Sequence, residues 1–295
     1  MCNLCPRNCA ADRCDTLGFC KMKKKIKIAR CAAHFWEEPP ISGTKGSGAI
    51  FFSGCNLRCV FCQNEKISSG GFGKEVTKQQ LCEMILRLQS EGVCNINLVT
   101  PTHFADEIVS VLDMVKPKLK IPVVYNCGGY ESEKTLEMLN GYIDIYLPDF
   151  KYISSAAAKK YSCAKDYSEV AKKAVDIMIK QAGKPVFDEN GIMKKGVIIR
   201  HLVLPGLYKD SIKILKYLKD TYGTDKFLLS LMSQFTPNES CKNIKELNRK
   251  ITTFEYRKAA DFAAECGFNG YFQERESSDK TYVPAFDLAG VGSRD

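Results

Sequence analysis

The chain has 295 residues, of which 45% are hydrophobic, and its formal net charge is +9 at neutral pH. A chain of this size can bury a substantial core, so we expect one catalytic domain with appendages. No apolar run is long enough to span a bilayer, and the start of the chain lacks the apolar core of a secretory signal. Fifteen cysteines without such a signal favour a reducing cytoplasm, where thiols bind metal or stay free rather than pair.

A cysteine-rich extension, which we assign to residues 1–35, opens the chain. It contains Cys2, Cys5, Cys9, Cys14, Cys20 and Cys31. The spacing C-x2-C-x3-C, followed by Cys20, can supply four thiolates to an iron–sulfur cluster or, in tetrahedral geometry, to zinc. The alternative is a set of free thiols on a flexible leader. Pro6, Asp12 and Gly18 argue against that alternative because they favour compact turns.

Two further stretches precede the first buried strand. Lysines 21, 23, 24, 25 and 27 form a basic run that can bind phosphates, but Ile26 and Ile28 alternate with it and predict a solvated edge strand. The next stretch places His34 and Trp36 beside Glu37 and Glu38. Paired carboxylates near a histidine can perform acid–base chemistry or anchor a loop through hydrogen bonds. We interpret this segment as structural or as part of a pocket wall.

The central motif is formed by Cys55, Cys59 and Cys62, spaced C-x3-C-x2-C. It follows an apolar run that ends at Gly54, which predicts a buried strand entering a loop. Three close thiolates hold three irons of a four-iron cluster and leave the fourth iron open. The amino and carboxylate groups of S-adenosylmethionine (SAM) can fill that position. A zinc site usually has two C-x2-C pairs, and no second pair lies downstream.

Strands and helices alternate after this loop. Thr77 and Gln80 predict a capping box for a helix that ends near Gly92. The predicted strands are 95–99, 122–125, 143–147, 197–204 and 227–231, and the predicted helices include 104–115, 210–222 and 252–266, with one beginning at 132, one ending at 183 and a hairpin at 190–191. Six βα units in series predict a parallel sheet with right-handed crossovers. This periodicity also allows a flat doubly wound sheet.

At its three loop cysteines the sequence resembles the radical SAM superfamily, which carries this motif after its first barrel strand. The strings 52–64, 95–103, 146–151 and 200–206 look more specifically like relatives of pyruvate formate-lyase activating enzyme, and the resemblance extends over nearly the whole chain. It implies an α/β fold, the open (βα)6 partial TIM barrel, with a radical SAM core at 36–273. We expect the tail, 274–295, to close over one end of the barrel.

The resemblance implies reductive cleavage of SAM at a [4Fe-4S] cluster to a 5′-deoxyadenosyl radical. Its leading implied function is activation of a glycyl-radical enzyme. One alternative is radical modification of another peptide or small molecule. An alternative of another class, based on the lysine run, is a metal-stabilised nucleic-acid-binding protein. No nucleic-acid motif accompanies the charge, so nucleic acid is the less favoured partner.

Functional groups of parallel α/β folds gather at the carboxyl ends of strands. Those ends and the cysteine loop present the candidate SAM contacts Phe61, Thr100, Thr102, His103, Asn126, Asp149, Lys151, Arg200 and His201. By resemblance, Phe61 lies where relatives pack a side chain against the adenine, and Asp149 with Lys151 is similar to an Asp-x-Lys pair near SAM.

Three of these candidates have competing interpretations. His103 belongs to a stretch that replaces the Gly-Gly-Glu motif of many superfamily members, and it can alternatively cap the helix that follows. Arg200 and His201 have opposite parity in their strand, so at most one of them faces the barrel interior at that level. A cationic group at this strand end can hold the SAM carboxylate.

Further cofactors and partners are implied by the same resemblance. The N-terminal positions that match its activase-related branch are Cys2, Cys5, Cys9 and Cys20, for an auxiliary four-iron cluster or zinc. The implied partners are a protein or peptide substrate, such as a glycyl-radical enzyme, and a one-electron donor such as flavodoxin or ferredoxin. We expect no membrane partner.

Overall fold

The computed structural model describes residues 1–273 and 283–292. Its strands are β1 Lys27–His34, β2 Ser47–Phe52, β3 Lys74–Glu75, β4 Ile96–Val99, β5 Val123–Cys127, β6 Ile145–Pro148, β7 Val186–Phe187, β8 Met193–Leu202, β9 Leu228–Met232 and β10 Gly270–Phe272. Its α-helices are α1 Pro39–Ser42, α2 Glu65–Ser68, α3 Lys78–Ser90, α4 Ala105–Val115, α5 Glu133–Leu139, α6 Ser155–Ser162, α7 Tyr167–Ala182, α8 Tyr208–Tyr222 and α9 Thr253–Glu265. Short 3-10 helices cover Thr102–Phe104 and Glu239–Cys241.

The strands form one open sheet in the order β10-β9-β8-β6-β5-β4-β2-β1-β3, and β7 pairs with β8 alone. Strands β2, β4, β5, β6, β8 and β9 run parallel to their neighbours in this order. They correspond to the six predicted βα units, and β10 adds a short parallel strand beside β9. Because β10 and β3 lie at opposite ends, the sheet does not close on itself. The predicted open (βα)6 partial barrel is confirmed.

Local signals place most element boundaries where the sequence predicts them. Thr77 caps α3, and both hydrogen bonds of its capping box with Gln80 are present. The hairpin predicted at 190–191 is formed by β7 and β8, which pair antiparallel. Helix α8 begins at Tyr208, two residues before the predicted start. Its first turn places Asp210 so that the carboxylate accepts hydrogen bonds from the backbone of Ser154.

Three apolar clusters pack on the sheet, the smallest of them around Phe51 and Phe286. The largest cluster is packed between the sheet and its helices. A smaller core inside the barrel contains Val124, Ile145, Leu147 and Ile198 from β5, β6 and β8, together with fully buried Ile41 from α1. Helix α1 therefore plugs the amino-terminal end of the barrel. This plug brings the residues just before it against the interior of the sheet.

The N-terminal segment, which we define as residues 1–26, is a series of turns packed on the barrel. Strand β1, which the predicted boundary at residue 35 places in the extension, belongs to the barrel sheet and pairs with β2 and β3. Ile28 is fully buried there, so the solvated edge strand predicted from the lysine run is wrong. The alternating isoleucines of the lysine run mark a buried face, and most of the lysines precede β1.

Residues 283–292 of the tail run beside β1. The ring of Phe286 packs edge-on against Phe51 at 5.5 Å between centroids, and Ala289 accepts a backbone hydrogen bond from Cys31. The remainder of the predicted closing tail, 274–282 and 293–295, lies outside the described residues. Within the described chain, no helix combines the length and apolar character needed to cross a membrane.

Candidate active site

The cysteine loop, residues 55–62, leaves β2 at Gly54. The N-terminal segment passes very close to this glycine, since a Cβ placed there would lie 2.7 Å from the carbonyl oxygen of Cys20. Gly54 also has a φ of +87°, a conformation that favours glycine. Arg7 donates a hydrogen bond to the carbonyl oxygen of Asn56 at 2.8 Å. The loop is therefore held between the barrel and the N-terminal segment.

The three thiols of this loop are buried together. Cys55 Sγ accepts a hydrogen bond from the Leu57 amide at 3.3 Å, and hydroxyls lie 3.0 Å from Cys59 Sγ and 3.3 Å from Cys62 Sγ. Burial raises the pKa of each thiol, and for Cys55 and Cys62 the neighbouring Cys59 raises it further. These thiols favour a protonated or metal-bound state, since burial disfavours a free thiolate.

This donor set fits a four-iron cluster better than a single metal ion. Among the described residues, no three His, Cys, Asp or Glu side chains are arranged to hold one metal ion. A cluster spreads its cysteine ligands around a larger body than one ion does. Hydrogen bonds to the ligand sulfurs, such as the three above, are a means by which proteins tune a cluster's potential.

The site cavity, of about 210 Å³, opens beside this loop at the carboxyl ends of the strands. Its walls bring together predicted residues from five strands or their loops, namely Cys55, Cys59, Cys62, Thr100, Asn126, Asp149, Lys151 and Arg200. Val283 and Pro284 of the tail line it as well. The cavity is thus the one place where the cysteine loop and the polar strand ends meet, as far as the described residues show.

An ion network crosses one wall of the site cavity. The Asp149 carboxylate accepts a hydrogen bond from Lys151 Nζ at 2.6 Å and one from Arg200 Nε at 2.9 Å. Arg200 Nη2 also donates to Asn126 Oδ1 at 2.7 Å. Burial alone would raise the pKa of Asp149, but the two cations outweigh it and hold that pKa below its usual range. Asp149 therefore stays ionised in the cavity wall.

Thr100 is strained in the cavity wall. Its φ is +58°, which is unfavourable for a β-branched residue. Its amide donates to the carbonyl oxygen of Asn126 on the neighbouring strand at 2.8 Å, and this bond holds the unusual conformation. Strained backbone of this kind concentrates at functional sites.

Three predicted SAM contacts lie outside the cavity walls, and we do not retain them. Thr102 Oγ1 donates instead to buried Glu131 at 3.0 Å. His103 Nε2 donates to the carbonyl oxygen of Ser53 at 2.7 Å behind the cysteine loop. His201 is buried with both ring nitrogens hydrogen-bonded, to Phe150 O and to Ser211 Oγ. These three residues lie at strand ends as predicted, but their side chains are buried and do not face the cavity.

His103 links the barrel to the N-terminal segment. Burial lowers its pKa to about 3, and the charge of Arg13 acts in the same direction. Since the Ser53 carbonyl can only accept, Nε2 carries the hydrogen and Nδ1 is bare. Arg13 in turn donates to the backbone carbonyl of His103.

Phe61, the predicted adenine neighbour, faces a second cavity of about 210 Å³. That cavity shares Cys59, Cys62, Asp149 and other residues with the site cavity, so the two are continuous at the cysteine loop. Its remaining walls are largely apolar and include Leu202, Leu204 and Met232. An apolar slot beside Phe61 is chemically suited to a flat aromatic base.

Three of the four predicted N-terminal cysteines, Cys2, Cys9 and Cys20, lie near Arg13. Cys5 and Cys20 are buried, and Cys5 interacts electrostatically with Cys2 and Cys20. A Cβ placed on Gly18 would lie 3.2 Å from Cys20 Sγ and 3.7 Å from Cys9 Sγ, so both sulfurs face that glycine. Burial raises the pKa of Cys5 to about 12. Cys14, in contrast, lines a separate cavity of about 660 Å³ with lysines 23–25.

Glu37, which the sequence analysis assigns to a structural segment or a pocket wall, lines the site cavity and lies 3.7 Å from Arg200. Three other residues around the cavity were not predicted. Asn97 lies buried below the cavity on β4, where two asparagines at alternate positions in an apolar strand were the available signal. Gln63 and Asn64, directly after the last loop cysteine, also line the cavity.

Comparisons with known proteins agree with this geometry. The Radical SAM superfamily model matches residues 49–218. The chain is 30% identical over 271 residues to an uncharacterized protein of Methanocaldococcus jannaschii, covering 89% of this chain and 74% of that protein. It is 26% identical over 185 residues to the pyruvate formate-lyase-activating enzyme of Clostridium pasteurianum, covering 60% of this chain and 71% of that enzyme.

A solved structure shares the fold. The crystal structure of Streptococcus suis SuiB bound to S-adenosylmethionine aligns with a TM-score of 0.51 at 14% identity, covering 75% of this chain. The aligned part is 48% of the SuiB chain, so this protein spans about half the length of that one. Since the family match extends over more than half of the chain and includes the three loop cysteines, this protein belongs to the Radical SAM superfamily.

Proposed function

We propose that this protein cleaves SAM reductively and uses the resulting radical to activate a glycyl-radical enzyme. The observation that carries the proposal is the convergence of the three loop cysteines with Asp149 and Lys151 on one buried cavity. The likeness to a pyruvate formate-lyase-activating enzyme supports the choice of substrate.

Superfamily membership implies a four-iron cluster and SAM as cofactors. A bound and reduced cluster would supply one electron to the sulfonium carbon–sulfur bond of bound SAM, which would yield methionine and a 5′-deoxyadenosyl radical. Cys55, Cys59 and Cys62 would hold the cluster, and the slot beside Phe61 would take the adenine. Asp149 stays ionised between two cations and is suited to orient a positively charged group of SAM.

The remaining walls of the site would protect the reaction. Val283 and Pro284 shield part of the site cavity, and excluding water prevents loss of a reactive intermediate. Arg200, predicted as a partner for the SAM carboxylate, is already engaged by Asp149 and Asn126. We therefore assign Arg200 to positioning Asp149.

We further propose that Cys2, Cys5, Cys9 and Cys20 hold an auxiliary four-iron cluster. The two sulfurs of Cys9 and Cys20 face Gly18, and Cys5 interacts with Cys2 and Cys20; these links among the four cysteines support one shared centre. Zinc is the competing occupant, and iron and sulfide analysis separates the two. The one-electron donor would be a flavodoxin or ferredoxin.

The test is anaerobic. Protein reconstituted with iron and sulfide is reduced in the presence of SAM, and 5′-deoxyadenosine is quantified against the C55A/C59A/C62A variant. We expect product from the wild type alone. A candidate glycyl-radical enzyme is then added, and electron paramagnetic resonance should show a carbon-centred radical that disappears when its target glycine is replaced by alanine. No product from a well-loaded cluster would contradict the proposal.

Radical modification of another substrate is the second candidate. The observation in its favour is the carboxylate-rich lower wall of the site cavity, since the glycine that an activase attacks carries no charged side chain. If 5′-deoxyadenosine forms but no glycyl radical appears on any candidate partner, this second function is favoured.

A further inference from the structure

Beneath the site cavity lies a group of polar residues that we call the cavity floor, namely Glu37, Glu38 and Asn97. The two glutamates immediately precede the plug helix α1, and their side chains are 9% and 8% exposed. Asn97 comes from the middle of β4 and is fully buried. Glu37 also lines the site cavity, so the floor communicates with the space beside the cysteine loop.

Within the described chain, the cavity floor has polar atoms without partners. Glu38 Oε2 and both polar atoms of the Asn97 side chain are buried and lack a hydrogen bond. Asn97 faces Glu37 closely enough to favour its ionised form. Each unpaired buried polar group costs about 1–3 kcal/mol. Three such atoms at one place point to a hydrogen-bonding group that the floor is shaped to receive.

The charge of the cavity floor indicates what that group is. Glu37, Glu38 and Asp149 carry three formal negative charges, against Lys151 and Arg200. Arg200 makes its short ion pair with Asp149 at 2.9 Å, whereas Glu37 and Glu38 lie 3.7 and 4.0 Å from it. When both glutamates are ionised, the pair is therefore incompletely neutralised, and a proton or a bound cation completes the balance. A group with several N–H donors and a positive charge would satisfy both requirements.

We propose that Glu37, Glu38 and Asn97 form a subsite for an ammonium or guanidinium group of the substrate. This inference rests on the proposed function, because it supposes that substrate enters the site cavity beside the cysteine loop. It defines the substrate as a cationic peptide side chain or a small amine. The subsite places the charged end at the plug and leaves the rest of the molecule toward the bound cofactors.

Binding at this subsite is coupled to a proton. Burial raises the pKa of Glu38 to about 7, and the adjacent Glu37 adds to this rise while Arg200 opposes it. Besides these charged groups, the hydroxyl of Ser230 on β9 faces Glu38. Like charges in contact do not both ionise readily, so the glutamate pair retains a proton near neutral pH. A bound cation displaces that proton to the buffer.

The experiment measures binding of small cations to the full chain, with its cluster loaded and SAM present. Methylguanidinium and methylammonium are titrated by calorimetry at pH 7 in buffers of different ionisation enthalpy. We expect saturable binding at one site, with proton release, and at least tenfold weaker binding in E37Q and E38Q. Glu83→Gln, an exposed glutamate on α3, is the matched control and should bind like the wild type. Tetramethylammonium, which has no N–H donor, should not bind.

A second variant guards against misfolding. Asn97→Leu removes an amide that makes no hydrogen bond within the described residues. It should weaken cation binding several-fold while raising the midpoint of urea unfolding, since an unpaired buried polar group is destabilising. A purely structural Asn97 would give a lower midpoint instead.

The titration is repeated without SAM. Four outcomes would overturn the inference: no saturable binding in either titration, equal binding of tetramethylammonium, wild-type binding in E37Q and E38Q, or cation binding that is seen without SAM and lost when SAM is added. The last outcome would assign the floor to a group of SAM itself. Because the readout is cation binding rather than turnover, its failure leaves 5′-deoxyadenosine formation as a separate test of the proposed function.

Discussion

The two cysteine sets of this protein are built on opposite plans. The cysteine loop presents three sulfurs to the site cavity; Cys55 Sγ is hydrogen-bonded within the loop, and Cys59 and Cys62 by hydroxyls outside it. The N-terminal set places Cys2, Cys9 and Cys20 near an arginine, and the large cavity nearby is lined by Cys14 and by none of the four. Three cysteines that face a cavity suit a reactive metal centre, whereas four cysteines that lie away from a cavity suit a closed metal centre.

The Arg13 guanidinium makes the N-terminal set dependent on the barrel. Arg13 is buried and donates to the carbonyl oxygens of Lys23, Met22 and His103, and its Nη1 lies 3.9 Å from Cys2 Sγ. The cysteine loop, in contrast, is positioned by a strand end. The N-terminal set thus depends on tertiary contacts, whereas the loop combines a strand end with tertiary contacts from Arg7 and Ser162.

Removing each cysteine set in turn should give the largest effects. The C55A/C59A/C62A variant should lose all SAM cleavage and about four irons per chain. The C2A/C5A/C9A/C20A variant should also lose about four irons, because a second cluster has that content, and should retain the SAM-dependent change in the spectrum of the loop cluster. Iron and sulfide analysis with electron paramagnetic resonance checks both. Loss of zinc instead of iron from the second variant would contradict the auxiliary cluster.

Arginine 13 offers the next largest effect. Arg13→Leu removes the Arg13 hydrogen bonds to the backbone carbonyls of Lys23, Met22 and His103 and leaves a buried guanidinium site empty, so we expect a loss of about 3 kcal/mol in the free energy of unfolding. Arg58→Leu is the matched control, since exposed Arg58 donates only to Phe19 O at 3.0 Å and stacks on the Phe19 ring. It should cost under about 1 kcal/mol. Urea unfolding measures both, and equal losses would contradict the central position of Arg13.

Two glycine substitutions should each affect only one of the two cysteine sets. A Cβ on Gly128 would lie 2.9 Å from Leu57 Cδ1 in the cysteine loop. Gly128→Ala should therefore shift the loop and lower 5′-deoxyadenosine formation roughly tenfold. Gly18→Ala should instead lower the metal content of the N-terminal set, because its Cβ meets Cys20 Sγ at 3.2 Å. Metal analysis and product assays on both variants check this, and matching defects would contradict it.

His103, at the junction of the two regions, should change stability only as the pH falls below about 6.5. Its pKa is lowered to about 3 in the folded protein, so the unfolded chain binds a proton first as pH falls. The folded state should lose up to about 1.4 kcal/mol per pH unit below about 6.5, and this loss ends near the folded pKa. His103→Gln keeps a donor for Ser53 and should remove this component. Urea unfolding between pH 7 and 5 compares the free energy of unfolding of the wild type and of His103→Gln. If the two free energies change with pH in parallel, a buried neutral His103 is contradicted.

Much of the fold was predictable because its signals are local. The capping box of Thr77 and Gln80, the turn at Gly191 and the apolar run before the cysteine loop act over a few residues. The spacing of Cys55, Cys59 and Cys62 is likewise a local property. Position at a strand end predicted Thr100, Asn126, Asp149, Lys151 and Arg200 as site residues, because parallel strands bring their carboxyl ends to one edge of the sheet.

The rest of the site depends on contacts that local patterns do not encode. Position at a strand end did not distinguish Thr100, which lines the cavity, from His201, whose ring is bound by Phe150 and Ser211. The cavity floor joins the two glutamates that precede α1 with Asn97 of β4, and these residues are distant in sequence. The sequence identifies Glu37 and Glu38 as a carboxylate pair. Their position inside the barrel, however, depends on the packing of Ile41 in the plug helix.

The N-terminal segment also has a consequence for the order of folding. Arg7 donates to the carbonyl of Ser162, 155 residues away, and Ser132 donates to that of Leu4 across 128 residues. During synthesis the N-terminal cysteines leave the ribosome first, yet their docking surface is not complete until α6 has emerged. Contacts of such long separation form slowly. The four thiols therefore cannot dock in their final arrangement until more than half of the chain has been translated.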